Sequence, residues 1–196
     1  MENRSRRRAL VAGLAGTALS ALGGQRASAT PPTEPPGRPT DGDTALLAQA
    51  QRVELTARDL YQVAIDEGAA GSEDRVLLAA RENHQAAADA ISALIGNAAP
   101  QAPDPDLFDQ WVEEFRSSDL ETIAVAGYEL ESTLVATHTE LIGRLEGMDG
   151  AKNIAAVLIM ESRMCTVLAD LSGRSDDFEA LFDNTASALT IGESEG

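Results

Sequence analysis

The sequence predicts an all-α fold, a bundle of four long helices arranged as two pairs with a long connection between the pairs. The chain has 196 residues and is 43% hydrophobic but only 4% aromatic. Its apolar residues are mostly alanine and leucine, which favour helices. They recur at three- and four-residue spacing, the period of a helix that buries one face. Patterns that alternate as in strands are few, so we expect one helical core.

The first two long helices form one predicted pair. The first covers about residues 44–67 and the second about residues 72–95, with Ser72 as the N-cap of the second and Gly96 just after its end. The turn between them is short, so the two helices are expected to be antiparallel neighbours. The apolar period of the first helix directs seven residues toward the core: Leu47, Val53, Glu54, Ala57, Leu60, Tyr61 and Ala64.

The last two long helices form the second predicted pair. The third helix is expected to begin at a capping box made by Ser118 and Glu121 and to extend to about residue 146. The fourth covers about residues 151–171, after a tight turn at residues 147–150. This pair is also expected to be antiparallel.

The connection between the pairs is long. Residues 97–117 contain three prolines and then a short amphipathic segment, DLFDQWVEEF. A connection of about 20 residues is sufficient to cross the length of a bundle. Residues 174–196 are expected to form a C-terminal helix, at about residues 176–191, and an acidic tail.

Residues 1–29 have the features of a targeting signal. Paired arginines in SRRRAL precede a weakly apolar stretch at residues 10–22, and Ala-Ser-Ala at residues 27–29 fits a cleavage site. The pattern resembles a twin-arginine signal, which exports folded proteins, and an ordinary secretory signal is the alternative. The apolar stretch is shorter than the roughly 20 residues of a membrane span, so we expect no stable membrane anchor. Residues 30–43, rich in Pro and Gly, are expected to be an extended, mobile linker.

The charge balance excludes some classes of partner. The chain has 32 acidic and 15 basic residues, and residues 1–29 contain one Glu and five Arg. The remaining 31 acidic and 10 basic residues give a net charge near −21, which is unsuited to binding nucleic acid or an anionic membrane. A homodimer is the only form of self-association that we consider for this protein. The single cysteine, Cys165, cannot form an internal disulfide, and we interpret it as a small buried hydrophobic residue.

A shift of 77 residues aligns the second half of the chain with the first. Three pairs of polar positions coincide: Glu54 with Glu131, Tyr61 with His138, and His84 with Glu161. In each half, a Glu and a ring are seven residues apart and therefore lie on one helical face. We interpret the chain as two copies of a helix pair.

The fourth helix has a carboxylate in the middle of an apolar run, AAVLIMESRMCTVLADLSG. Glu161 is in register with Leu158 and Leu168, so it is expected to face the core. A buried carboxylate is costly unless it is paired or binds a cation. His84, its counterpart under the shift, is the partner that we expect Glu161 to contact.

These features resemble the ferritin-like superfamily, in particular exported, actinobacterial-type ferritin-like proteins of unassigned function. The resemblance covers about residues 44–173 and rests on RVELTARDLY, ENHQAAADAISALIG, GYELESTLVATH and MESRMCTVLADLSG. It implies a ferritin-like four-helix bundle in which two lone Glu residues and two Glu-x-x-His motifs bind two metal ions. Carried over to this chain, the implied metal site is Glu54, His84, Glu131 and Glu161, with Tyr61 and His138 around it.

Both Glu-x-x-His motifs are incomplete. They read His84-x-x-Ala87 and Glu161-x-x-Met164, and a thioether is a poor ligand for iron or manganese. We therefore interpret the di-metal centre as degenerate, and the protein as an exported binding or structural protein rather than an enzyme. The alternative is a metal-dependent oxidoreductase or a metal-storage protein that uses the residual site.

Three states of this site are open at the level of sequence. The residues bind one divalent ion such as iron or manganese, form a hydrogen-bonded network without metal, or form a working two-metal oxidase. In the network, His84 is expected to be protonated and one carboxylate to have a raised pKa, because like charges cannot all ionise in a core. Glu129 replaces Glu131 if the register of the third helix is shifted by two residues. His138 is either a ligand or a hydrogen-bonded ring on the inner face.

Overall fold

The computed structural model describes residues 35–68 and 74–191. All regular secondary structure in these residues is helical, which confirms the predicted all-α class. The α-helices are α1 (Asp41–Asp66), α2 (Asp74–Ile95), α3 (Pro105–Phe115), α4 (Leu120–Arg144), α5 (Met148–Leu171) and α6 (Phe178–Phe182), with a 3-10 turn at Gly96–Ala98. None of these described helices is both long enough and apolar enough to cross a membrane. The predicted signal segment and the predicted N-cap Ser72 lie outside the described residues.

The four long helices pack as two pairs. α1 lies against α2, and α4 lies against α5; α1 also contacts α4, and α2 contacts α5. Gln51 of α1 bonds to Ser92, whereas Gln62, further along α1, bonds to the earlier residue Arg81 of α2. The two helices of the first pair are therefore antiparallel.

The apolar core has two parts, and polar residues separate them along the helices. All seven inward residues predicted for the first helix are buried. The larger apolar cluster contains residues of α1, α2, α3 and α4, and the smaller one contains residues of α1, α2, α4 and α5. On α4, His138 falls between Leu134 of the larger cluster and Leu141 of the smaller one. The polar side chains between the two clusters are consequently enclosed by apolar residues on both sides.

α1 begins three residues earlier than predicted because of its cap. Thr40 Oγ1 accepts a hydrogen bond from the Asp43 N–H at 3.2 Å, and Asp43 Oδ2 accepts one from the Thr40 N–H at 2.9 Å. This capping box satisfies two backbone donors that would otherwise lack partners in a helix end.

The start of α4 also differs from the prediction. Its N-cap is Asp119, whose carboxylate accepts the Thr122 N–H at 2.9 Å. The capping box predicted for Ser118 and Glu121 was therefore wrong. Asp caps a helix about as well as Ser, so the pattern alone did not distinguish two adjacent candidates.

Two buried polar side chains of α1 hold the connection between α2 and α4. Gln51 Oε1 accepts the Gln101 N–H at 3.0 Å, and Thr56 Oγ1 accepts the Asp104 N–H at 2.8 Å. Gln51 and Thr56 are each fully buried, although the apolar pattern did not single them out. Their role depends on the packing of the connection against α1, which a pattern within one helix does not predict.

The predicted mobile linker is in part fixed. Within residues 35–40, the carbonyls of Pro36 and Gly37 accept hydrogen bonds from the backbone N–H groups of Met148 and Asp149, each at 2.9 Å. This stretch therefore lies against the turn between α4 and α5. The sequence pattern does not predict backbone hydrogen bonds between segments more than 100 residues apart.

The C-terminal segment is less helical than predicted. α6 has five residues, and residues 183–191 have no regular secondary structure, so the helix predicted at 176–191 was too long. The Leu189 N–H donates to Thr137 Oγ1 of α4 at 2.9 Å, and the side chain of Ile191 is buried in the larger cluster. Contacts with α4 thus replace the hydrogen bonds of a helix.

Candidate metal centre

Three Glu, two His and one Tyr meet between the four long helices, out of contact with solvent. α1 provides Glu54 and Tyr61, α2 His84, α4 Glu131 and His138, and α5 Glu161, and each side chain is 0% exposed. The seven-residue spacing on α1 and on α4 places two of these groups on the same face of each helix. The structure therefore brings together all six polar residues that the sequence identified.

His84 bridges two of the carboxylates. Its Nδ1 lies 2.8 Å from Glu54 Oε2, and its Nε2 lies 2.9 Å from Glu131 Oε1. Burial disfavours the imidazolium, but the charges and hydrogen bonds of Glu131 and Glu54 outweigh it and raise the pKa of His84 well above its ordinary value. The protonated ring donates to both carboxylates, as expected for the network.

Tyr61 completes this half of the cluster. Its hydroxyl donates to Glu131 Oε1 at 2.7 Å, and its ring stacks on His84 with centroids 5.6 Å apart. Burial and the Glu131 charge raise the pKa of Tyr61 well above its ordinary value, so it remains a neutral donor. Gly127 makes room for it, because a Cβ at this position would lie 3.1 Å from the Tyr61 hydroxyl.

The second half is a contact between α4 and α5. His138 Nδ1 lies 2.8 and 2.9 Å from the two oxygens of Glu161. The predicted contact between Glu161 and His84 was therefore wrong, because both nitrogens of His84 face carboxylates of α1 and α4. The sequence identified both groups as buried but could not specify which pairs would meet.

Burial controls the protonation of this second pair. It raises the pKa of Glu161 to about 8, since the charge and hydrogen bond of His138 offset it only in part. Burial lowers the pKa of His138, but the charge and hydrogen bond of Glu161 and the charge of Glu54 outweigh it and raise the value to about 9. For Glu54, burial is outweighed by the His84 hydrogen bond and by the charges of both imidazoles, so its pKa is lowered.

Three atoms of the cluster have no hydrogen-bond partner among the residues that the structure describes. They are Glu54 Oε1, Glu131 Oε2 and His138 Nε2. Glu54 Oε1 and His138 Nε2 are 3.5 Å apart, longer than an ordinary hydrogen bond. A buried polar atom without a partner typically costs about 1–3 kcal/mol, so a hydrogen-bonded network alone leaves this cluster incomplete.

Three side chains of the cluster are placed so that they could bind one metal ion. Glu54, His138 and Glu161 each offer one ligating atom, and these atoms lie within 4.8 Å of one another. Oxygen and imidazole donors suit divalent ions such as manganese, iron and zinc. This group contains Glu54 and Glu161 of the predicted site, and it contains His138, for which the sequence left both a ligand and a hydrogen-bonded ring open. His84 and Glu131 lie beside it in the same cluster.

The other candidates lie elsewhere. Glu129 is exposed, with a carboxylate oxygen 4.0 Å from Arg174, so a two-residue shift in the register of α4 is wrong. Met164 is half-buried, and its sulfur accepts the Asn83 amide at 3.5 Å. Cys165 is also only half-buried, and burial raises the pKa of its thiol to about 12.

No family model, no curated protein and no solved structure gives a significant match to this chain.

Proposed function

We propose that this protein is an exported, ferritin-like helical bundle that binds one divalent transition-metal ion through Glu54, His138 and Glu161. The proposal rests on two atoms that can ligate a metal, Glu54 Oε1 and His138 Nε2. Both lie in a fully buried cluster and have no hydrogen-bond partner there. A cation between these groups would satisfy both atoms at once. When bound, iron or manganese supplies Lewis acidity and redox chemistry, while the surrounding side chains position the ion and exclude water.

The directions of the helices support the ferritin-like arrangement. Tyr61 of α1 contacts Glu131 of α4, whereas the earlier residue Glu54 lies 3.5 Å from the later residue His138, so α1 and α4 are antiparallel. Because α1 is also antiparallel to α2, the helices α2 and α4 run in the same direction. The connection that contains α3 then crosses from one end of the bundle to the other, as in the ferritin-like variant.

Charge favours one ion over two. Metal ligands bind in their deprotonated forms, so an ion would displace the protons that Glu161 and His138 hold at neutral pH in its absence. Glu54, Glu161 and a neutral His138 would then contribute two negative charges, which match one divalent ion, and the His84 imidazolium balances Glu131. A second divalent ion would leave the buried cluster positively charged, which is costly in a low-dielectric core. By the ferritin-like resemblance, Ala87 and Met164 take the positions of the two histidines of a complete two-metal centre. We therefore interpret the site as a two-metal centre that has lost ligands and now binds one metal ion. Such a site is suited to metal binding rather than to catalysing an oxidation.

A hydrogen-bonded network without metal is the second candidate. It is favoured by the full occupation of both His84 nitrogens and by the close contact of His138 with Glu161. In that case the cluster has a structural role only. The unpartnered atoms of Glu54 and His138 weigh against it.

Metal content separates these possibilities. We expect chelator-treated protein that is incubated under argon with Mn²⁺ or Fe²⁺ to retain about one ion per chain by elemental analysis, as the charge count requires. Glu161→Gln and His138→Gln should each abolish retention. Glu129→Gln is the matched control on α4, because this residue is exposed, and it should retain the ion. Absence of retained metal would establish the network instead, and two ions per chain would favour the oxidase.

Export is a separate part of the proposal and depends on residues 1–29. The paired arginines and the Ala-Ser-Ala site predict a mature chain that begins near Thr30 outside the cytoplasm. Sequencing the N-terminus of the protein from its native compartment measures this directly. A chain that still begins at Met1 in the cytosol would contradict export.

A further inference from the structure

A groove lies between α2 and α5 on the surface of the bundle. Its volume is about 460 Å³, and its wall is largely apolar, with Val76 from α2 and Met160, Met164 and Val167 from α5. Clefts of roughly 300–1,000 Å³ are typical of small-molecule sites. Val167 remains 45% exposed. A single exposed apolar residue is ordinary on a protein surface, but a concave apolar wall shared by two helices is suited to holding an apolar chain.

The charge in this groove is opposite to that of the chain as a whole. Acidic residues outnumber basic ones by 32 to 15 in the sequence, yet the described residues that line the groove include Arg75 and Arg163 and no acidic residue. Among the described residues, neither arginine has a carboxylate within 4.0 Å. Arg58 and Arg81, outside the groove, both have one. Within the described part of the chain, the donors of the two groove arginines are therefore not taken up by ion pairs.

We infer that this groove binds a single-chain amphiphile with a carboxylate head group, such as a fatty acid. The apolar chain lies along the valine and methionine wall, and the carboxylate pairs with Arg75 or Arg163. The planar guanidinium matches the two oxygens of a carboxylate and forms strong, charge-assisted hydrogen bonds with it. A cationic head group is disfavoured by the same two charges. This site shares no residue with the metal cluster, so it does not depend on the proposed metal function.

Calorimetric titration with dodecanoate, kept below its micelle concentration, tests the inference. We expect one dodecanoate to bind per chain at least about tenfold more tightly than dodecanol, with no binding of dodecyltrimethylammonium. At least one of the variants Arg75→Gln and Arg163→Gln should weaken dodecanoate binding by about tenfold, which corresponds to 1.4 kcal/mol. Ala79→Phe, which narrows the groove without changing its charge, should weaken dodecanoate and dodecanol alike.

Arg81→Gln is the matched control, because Arg81 is on the same helix but outside this groove and contacts Glu82 at 3.4 Å. It should leave dodecanoate binding unchanged. Thermal unfolding followed by circular dichroism verifies that every variant is folded. Equal affinities for dodecanoate and dodecanol, unchanged binding in both groove-arginine variants, or no binding of dodecanoate would each overturn the inference.

Discussion

At the scale of single residues, the buried cluster depends on pairs rather than on separate groups. Glu161→Leu leaves the His138 ring without the carboxylate that it contacts at 2.8 Å. Removing one member of a buried pair typically costs about 3–5 kcal/mol, whereas replacing both with apolar residues is often neutral. We therefore expect Glu161→Leu to lower the free energy of unfolding by about this amount, and the double variant with His138→Leu to recover most of it.

Urea denaturation of metal-free protein measures these free energies. Glu129→Leu serves as the control, because Glu129 is exposed on α4 and its substitution should have little effect. A single Glu161→Leu variant as stable as the natural protein would show that the pair does not contribute to folding.

Two glycines of α4 provide a second comparison at this scale. A Cβ at Gly127 would lie 3.1 Å from the Tyr61 hydroxyl and 3.3 Å from the methyl groups of Leu168, whereas a Cβ at Gly143 would meet nothing within 4 Å. Alanine is favoured over glycine in a helix by about 1 kcal/mol, while overpacking costs about 1–3 kcal/mol. Gly143→Ala should therefore stabilise the protein, and Gly127→Ala should be neutral or destabilising.

Thermal unfolding of the two alanine variants tests this contrast, because both changes are chemically identical and lie in one helix. Equal stabilisation by Gly127→Ala and Gly143→Ala would mean that α1 and α5 shift to accommodate the added methyl group without a loss of stability.

At the scale of elements, Asp43 links the start of α1 to the turn between α4 and α5. Its carboxylate accepts the N–H groups of Thr40, Glu146 and Gly147 at 2.8–2.9 Å. Burial opposes ionisation of Asp43, but these hydrogen bonds outweigh it and lower its pKa below the ordinary value of 3.8. We expect Asp43→Asn to cost about 2 kcal/mol at pH 7, because hydrogen bonds to a charged acceptor are lost.

The sign of the pH dependence follows from the lowered pKa. The native state binds the Asp43 proton less readily than the unfolded state, so this group favours folding above pH 3.8. That contribution is lost as the pH falls through the lowered native value. The difference in unfolding free energy between the natural protein and Asp43→Asn should therefore be constant near neutral pH and shrink in acid. Asp41→Asn, in the same first turn but exposed, should show no such difference at pH 7.

The elements also show what the sequence could predict. The helical period correctly placed Glu54 and Tyr61 on the buried face of α1, because burial depends on spacing within one helix. It could not predict that Glu161 meets His138, since that contact depends on how α5 is rotated against α4. The role of Asp43 was missed for a related reason, because its partners Glu146 and Gly147 are more than 100 residues away. Local patterns carry no information about such contacts.

At the scale of the whole molecule, the strong excess of acidic residues opposes folding. With 32 acidic and 15 basic residues, the compact state brings many like charges together, and this self-repulsion is relieved on unfolding. Few surface ion pairs offset it in the described residues: Arg58 with Asp59, Arg81 with Glu82, Arg116 with Glu113, and Arg174 with Glu129. Exposed pairs of this kind contribute about 0–1 kcal/mol each.

Salt should therefore stabilise this protein. Screening reduces both the general repulsion and the few surface attractions, with a Debye length of about 10 Å at 0.1 M and about 3 Å at 1 M salt. Because the net charge is −17, repulsion outweighs attraction over the molecule as a whole, and we expect the melting temperature to rise steadily as NaCl increases from about 0.01 M to about 0.5 M. Calorimetry with sucrose at matched osmolarity separates charge screening from a general solute effect. A melting temperature that falls with NaCl would mean that local ion pairs, and not the net charge, dominate the electrostatic contribution to folding.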